Sequence, residues 1–215
     1  SFCNTVIPTE ESKILQKNLI ITHAVGAGNP FPSEVARTVM LLRINNLSKG
    51  FSGIRMETLE TLIAMLNKGV SPIIPEKGSL GASGDLAPLS HMVLPMLGLG
   101  EAEYEGQVYS GEKAMELAGI PTIELTEKEG LALINGTQVM TAVGALTMID
   151  TINLVKVSDI AVAMSFEAQR GVIYALQPRM HTCRPHQGQI DSARIFSHLL
   201  KKKKNVTRQA EIKVQ

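Results

Sequence analysis

Tryptophan is absent from these 215 residues, aromatics make up 4% of them, and cysteine occurs only at Cys3 and Cys183. Two distant cysteines without metal-ligand spacing give neither a disulfide framework nor a thiolate metal site, and they fit a reducing, cytoplasmic setting. No metal is expected. Charge of one sign is scarce as well: 21 Lys and Arg stand against 20 Asp and Glu, a net charge of +1. So small an excess makes no field that would gather nucleic acid or acidic lipid, which leaves a small molecule or another protein as partner. No unbroken run of about 18 apolar residues occurs, and Ser1-Phe2-Cys3-Asn4 has no basic segment leading into an apolar one. Neither secretion nor a membrane span is expected. What is plentiful is aliphatic surface. Hydrophobic residues are 44% of the chain, enough to bury a substantial core in one domain or in two small ones.

Apolar residues recur at three and four positions: Ile14, Leu15, Leu19 and Ile20; Val35, Val39 and Leu42; Leu59, Leu62, Ile63 and Leu66. This is helix periodicity. Ser33 is placed to cap a helix that Gly50 ends, and Lys68-Gly69 closes the next. Glu101 to Tyr109, polar and containing Gly106, reads as a small irregular or hairpin segment before a helix from Ser110 to Ala118. Thr126-Glu127-Lys128-Glu129 has the form of a capping box. After it an apolar-rich stretch without proline runs to about Gly171, predicting one very long helix or two collinear ones. Forty-odd residues would span roughly 60 Å, too long for a compact monomer to cover, so the helix calls for neighbours from other subunits. Residues 179–189 read as a polar loop before a helix reaching Leu200, and Lys201 to Lys204 as a solvated loop. The class is all-α.

The most unusual stretch runs from Pro75 to His91 and contains Gly81-Ala82-Ser83-Gly84-Asp85. Read alone, Ala-Ser-Gly is an ordinary turn or helix start, with Ser83 or Asp85 as the cap. Its surroundings resemble the signature of the aromatic amino acid ammonia-lyase and aminomutase family, in which this tripeptide cyclises to 4-methylideneimidazol-5-one. The chemistry accounts for the residue types. The Gly84 nitrogen must reach the Ala82 carbonyl, which needs an unhindered backbone, and dehydration of Ser83 supplies the methylidene. The product is a built-in electrophile that no side chain provides, so no external organic cofactor is expected. Helix N-termini near its carbonyl oxygen are a further implication of the resemblance. Asp85 matches the family's acidic residue, which assists ring closure or caps a helix.

Two further segments resemble the same family. Leu131 to Gln138 matches its Asn-Gly-Thr motif, which implies that Asn135 lies beside the prosthetic group. An Asn-Gly pair usually marks a turn, yet here it falls within a helical pattern, and such local conflict is characteristic of functional sites. Leu15 to Gly28, with Arg43-Ile44-Asn45 and Gly50 to Arg55, is the third. A histidine stands at the place of His23 in members that bind an imidazole substrate, although tyrosine-specific members can carry one there too. Gln215 corresponds to a substrate-binding glutamine of the family.

The resemblance covers the whole chain and implies a long-helix bundle of the fumarase/aspartase-like type, with residues 1–215 forming part of a single catalytic domain. It implies non-oxidative deamination of L-histidine to trans-urocanate and ammonia in a homotetramer with active sites shared between subunits. Phenylalanine or tyrosine lyases, an aminomutase, and an inactive helical module remain open alternatives. The family's tyrosine base lies upstream of Ser1, and its carboxylate-binding groups lie beyond Gln215. Little or no turnover is therefore expected from this polypeptide alone.

Overall fold

The computed structural model describes residues 8–80 and 84–201, and they are predominantly helical. The chain divides into two compact units, residues 1–146 and 147–215.

In the first unit α1 (Ser12–His23), α2 (Ser33–Leu47) and α3 (Met56–Lys68) are followed by α4 (Leu86–Val93), α5 (Gly111–Leu117) and α6 (Glu129–Ile134). α7 (Gln138–Ala168) carries the boundary between the units. α2 packs on α3, while α1, α4 and α6 pack on one another. Their apolar stripes meet in a core in which Ile20, Val39, Leu62, Leu89, Leu133 and Ile134 are fully shielded. With so few aromatics, methionine supplies much of the bulk. Met40, Met65, Met92, Met96 and Met115 are all completely buried, their unbranched side chains filling irregular gaps between helices.

Short strands frame the helices. β1 (Ala27–Pro30) pairs antiparallel with β3 (Pro75–Lys77), Ala27 opposite Lys77 and Pro30 opposite Pro75. β2 (Ser71–Pro72), β4 (Glu101–Tyr104) and β5 (Gln107–Ser110) form a sheet in that order. The hairpin expected near 101–109 is therefore present, turned by Glu105 and Gly106, both at positive φ, as a two-residue primed turn requires. The helix expected from Ser110 to Ala118 is α5, and Ser110 caps it, its Oγ accepting from Lys113 N at 3.4 Å.

Several local expectations need correction. Ser33 does not cap α2. It is the first helical residue, and its hydroxyl donates to Glu103 Oε2 at 2.7 Å. Half of the capping box survives: Glu129 accepts from Thr126 N at 2.8 Å, but Lys128 is the N-cap and α6 begins only at Glu129. Of the two readings of the apolar stretch, one long helix or two, the structure has two: α6 and the 31-residue α7, parted at Asn135-Gly136-Thr137.

The second unit has a small core of its own, in which buried Ala163 and Leu200 are flanked by Phe166, Ile173, Leu176 and Phe196. Part of the predicted polar loop is helical, α8 (Pro178–Thr182), before α9 (Gln187–Leu200). Along α7 large apolar side chains remain exposed, among them Met148, Ile149, Ile152, Leu154, Val155 and Val157. By length and composition alone this segment could cross a membrane.

Candidate active site

The singled-out residues lie on three helix ends of the first unit. α1 ends at His23, α4 begins immediately after Asp85, and α6 ends before Asn135. Ala82, Ser83 and Gln215 lie outside the described residues.

Asp85 is the centre of the arrangement. It is 1% exposed and holds φ 64, the left-handed region that aspartate tolerates better than most side chains. It stands at the N-cap of α4, but its carboxylate does not cap that helix. Oδ2 instead accepts the Met140 N–H at 2.9 Å, satisfying a donor in the first turn of α7. Oδ1 accepts from Ser79 Oγ at 2.7 Å, and the same hydroxyl accepts Asp85 N–H at 3.1 Å. One buried carboxylate thus ties Ser79, ahead of the tripeptide, to the first turn of α7. Gly84 has φ 67, and a Cβ built there would meet only Ser79 Oγ, at 3.9 Å. The left-handed backbone at Gly84 and Asp85 suits a sharp turn, and the glycine leaves that turn uncrowded. Gly84 and Asp85, the described end of this segment, fit a backbone-derived imidazolone whose other two residues lie outside the described ones.

His23 is part-buried, and its Nδ1 lies 2.8 Å from Leu19 O. A carbonyl can only accept, so Nδ1 carries a proton, and in that tautomer Nε2 is the ring nitrogen left to accept a hydrogen bond. Beyond it, the Gly26 N–H donates to Nε2 of His91 on α4 at 3.0 Å, and burial pushes the His91 imidazole below its ordinary pKa. A Cβ at Gly26 would lie 3.0 Å from that nitrogen, and one at Gly78 would lie 3.0 Å from Gly26 Cα. The loop after His23 is thereby seated on the segment that enters and leaves the tripeptide.

Asn135 is exposed and in extended conformation, its N–H donating to Leu131 O at 2.9 Å. It is not inside a helix but at the break between two, and its carboxamide makes no hydrogen bond among the described residues.

Three contributors escaped the sequence reading. His91 and Ser79 carry no local signal. Arg43 did carry one: Ala36, Val39, Met40 and Leu47 form the buried stripe of α2, and Arg43 stands in it at 2% exposure. Glu129 was read only as a cap. Its carboxylate is a buried hub, taking Arg55 N and Nε at 3.1 Å, Arg55 Nη2 at 2.8 Å and Thr58 Oγ1 at 2.7 Å.

These helix ends and the sequence around them define a class. The family model described as aromatic amino acid lyase matches residues 1–215, and the chain belongs to that family. It is 63% identical over 214 residues to a histidine ammonia-lyase of Alkaliphilus oremlandii (strain OhILAs), with all of this chain and 42% of that relative covered. Among solved structures it is similar to a Pantoea agglomerans phenylalanine aminomutase, with TM-score 0.90 and 38% identity over 96% of this chain and 40% of that one. A Trypanosoma cruzi histidine ammonia-lyase gives 0.86 and 41% over 92% and 39%. The chain spans 42% of the length of the curated relatives it matches.

Proposed function

We propose that the full-length protein containing this chain deaminates L-histidine without oxidation, releasing trans-urocanate and ammonia. On this reading the prosthetic group is 4-methylideneimidazol-5-one formed from Ala82, Ser83 and Gly84, and both compact units belong to one catalytic domain. The observation that carries the proposal is the Asp85 tie, which fastens the tripeptide's flanks, Ser79 and Asp85, to the first turn of α7. The group supplies an electrophile that turns the substrate's amino group into a competent leaving group. The protein supplies the surroundings. The N-terminus of α4, which begins directly after Asp85, favours negative charge on the group that precedes it in the chain, and Asp85 binds this stretch to the first turn of α7.

The choice of histidine rests on the relatives' activity and on His23. With Nδ1 engaged by the Leu19 carbonyl, Nε2 is the His23 nitrogen that can accept a hydrogen bond from a substrate imidazole N–H, which a phenyl ring cannot offer. Asn135 offers an unengaged carboxamide to the substrate or the prosthetic group, and Gln215 is assigned to substrate binding. A second reading, an aminomutase that returns the amine to the adjacent carbon, is favoured by the structural likeness to phenylalanine aminomutase.

The test uses the full-length protein. Incubation with L-histidine is expected to yield urocanate and ammonia, incubation with L-phenylalanine no cinnamate, and β-amino acid products are expected with neither. Intact mass should fall short of the encoded mass by two waters, and Ser83→Ala should abolish both that deficit and turnover. Turnover persisting in Ser83→Ala would refute the mechanism.

A further inference from the structure

Arg43 presents a problem of charge. Its guanidinium is 2% exposed, burial lowers its pKa to about 10, and both its hydrogen bonds go to uncharged oxygens. Its Nε is buried and has no acceptor among the described residues. A buried cation without a carboxylate costs stability, so packing of α2 does not account for it. What it touches does. Nη2 donates to Ala132 O, and Nη1 donates to Gln138 Oε1 at 2.9 Å.

Ala132 belongs to the last turn of α6, and Gln138 is the first residue of α7. In an unbroken helix the Ala132 carbonyl would accept the Gly136 N–H; here the arginine takes the place of that donor. One planar, forked group therefore bridges the two helix ends on either side of Asn135. Gly136 fits the same arrangement. It is not among the residues at positive φ, so no turn demands it, yet a Cβ there would overlap both Arg43 Nη1 and Gln138 Oε1. The glycine of the Asn-Gly pair is required for the guanidinium to lie against the backbone.

We infer that Arg43 is a positioning residue for Asn135, its guanidinium clamping the ends of α6 and α7 so that the break between them presents the Asn135 carboxamide in one orientation. The inference rests on the reading that Asn135 serves the reaction. Lysine cannot replace the arginine, because a single ammonium on a flexible stem does not span two acceptors with fixed geometry.

The test combines Arg43→Met, Arg43→Lys, Asn135→Ala and the Arg43→Met/Asn135→Ala double variant in the full-length protein. Arg43→Met should lower kcat by about tenfold or more with KM little changed, the pattern of an interaction that matters in the transition state. Placed on Asn135→Ala, it should add almost nothing, because both changes act through one group. Amide hydrogen exchange should accelerate by about tenfold or more at residues 135–140 while α3 and the β4–β5 hairpin stay protected. Arg43→Lys should show the same pattern in milder form, and it stands in if the methionine variant does not fold. Independent, multiplicative losses would overturn the clamp, as would unaltered exchange at 135–140 or acceleration spread evenly over the first unit. If Asn135→Ala turns over histidine normally, the catalytic reading of Asn135 fails, while the exchange measurement still decides whether Arg43 fixes the break.

Discussion

At the residue scale the chemistry converges on Asp85, where two requirements compete. The backbone there is left-handed, which favours glycine, while Ser79 and the first turn of α7 require a carboxylate. Asp85→Ala removes the acceptor and keeps the strain; Asp85→Gly removes the acceptor and relieves it. Both should destabilise the protein by about 1–3 kcal/mol, chiefly through the Met140 N–H left without its acceptor. The alanine variant should be worse by roughly 1 kcal/mol. Chemical denaturation of the two variants side by side measures the difference, and equal stabilities would show that the backbone is not strained. His23 gives a second prediction. His23→Phe keeps the ring's bulk and deletes the Nε2 acceptor, so KM for histidine should rise by about tenfold, equivalent to about 1.4 kcal/mol, in steady-state kinetics of the full-length protein. An unchanged KM would remove His23 from the substrate's imidazole.

At the scale of elements, the Glu129 hub holds the start of α6 to the start of α3, and its stability should depend on acid. Burial raises the Glu129 pKa, but hydrogen bonds from Arg55, Thr126 and Thr58 outweigh it and hold the carboxyl at about 2 against an ordinary 4.5. A group depressed on folding stabilises the fold above its unfolded pKa and loses that contribution as pH falls through the folded one. The hub should therefore contribute on the order of 3 kcal/mol at neutral pH, lost progressively from about pH 4.5 to about pH 2. Glu129→Gln should lower stability at pH 7 and flatten the acid limb in urea titrations, and a parallel loss at all pH values would contradict this account. The same element shows what sequence can and cannot reveal. Gly69 ending α3, Ser110 capping α5 and the Glu105-Gly106 turn are local events, decided by neighbours within a few positions, and they are legible. Ser33 had the right chemistry for a cap but Glu103 took it, and Glu129 keeps its bond from Thr126 N while also serving Arg55 and Thr58. The bonds that build the site join Asp85 to Met140, Gly26 to His91 and Arg43 to Gln138, separated by 55, 65 and 95 positions. Such partnerships are set by packing, and no local pattern encodes them. Even so, an arginine within the apolar stripe of α2 was a visible anomaly.

For the whole molecule the decisive object is α7. A helix apolar all round is stable only inside something, and Met148, Leu154, Val157 and Met164 are each more than half exposed on this chain. Lipid and protein are the two possible surroundings. Asp150, Lys156 and Asp159 lie near the middle of the helix, where each charge would cost about 2.5–3.5 kcal/mol at the centre of a bilayer. In a protein bundle such groups can be paired across subunits. We propose that other copies of the same chain are the cover, in a homotetramer whose active sites are shared between subunits. A charge on the face that meets those copies should then do two things at once. Leu154→Glu in the full-length protein is expected to shift the mass measured by light scattering from a tetramer to a smaller species, and turnover should fall in step, because a site assembled from several subunits cannot survive their separation. Full activity in a dissociated variant would show that the sites are not shared. An unaltered mass would place Leu154 outside the contact between copies, and the covered face would then have to be sought on the Val157 side of the same helix.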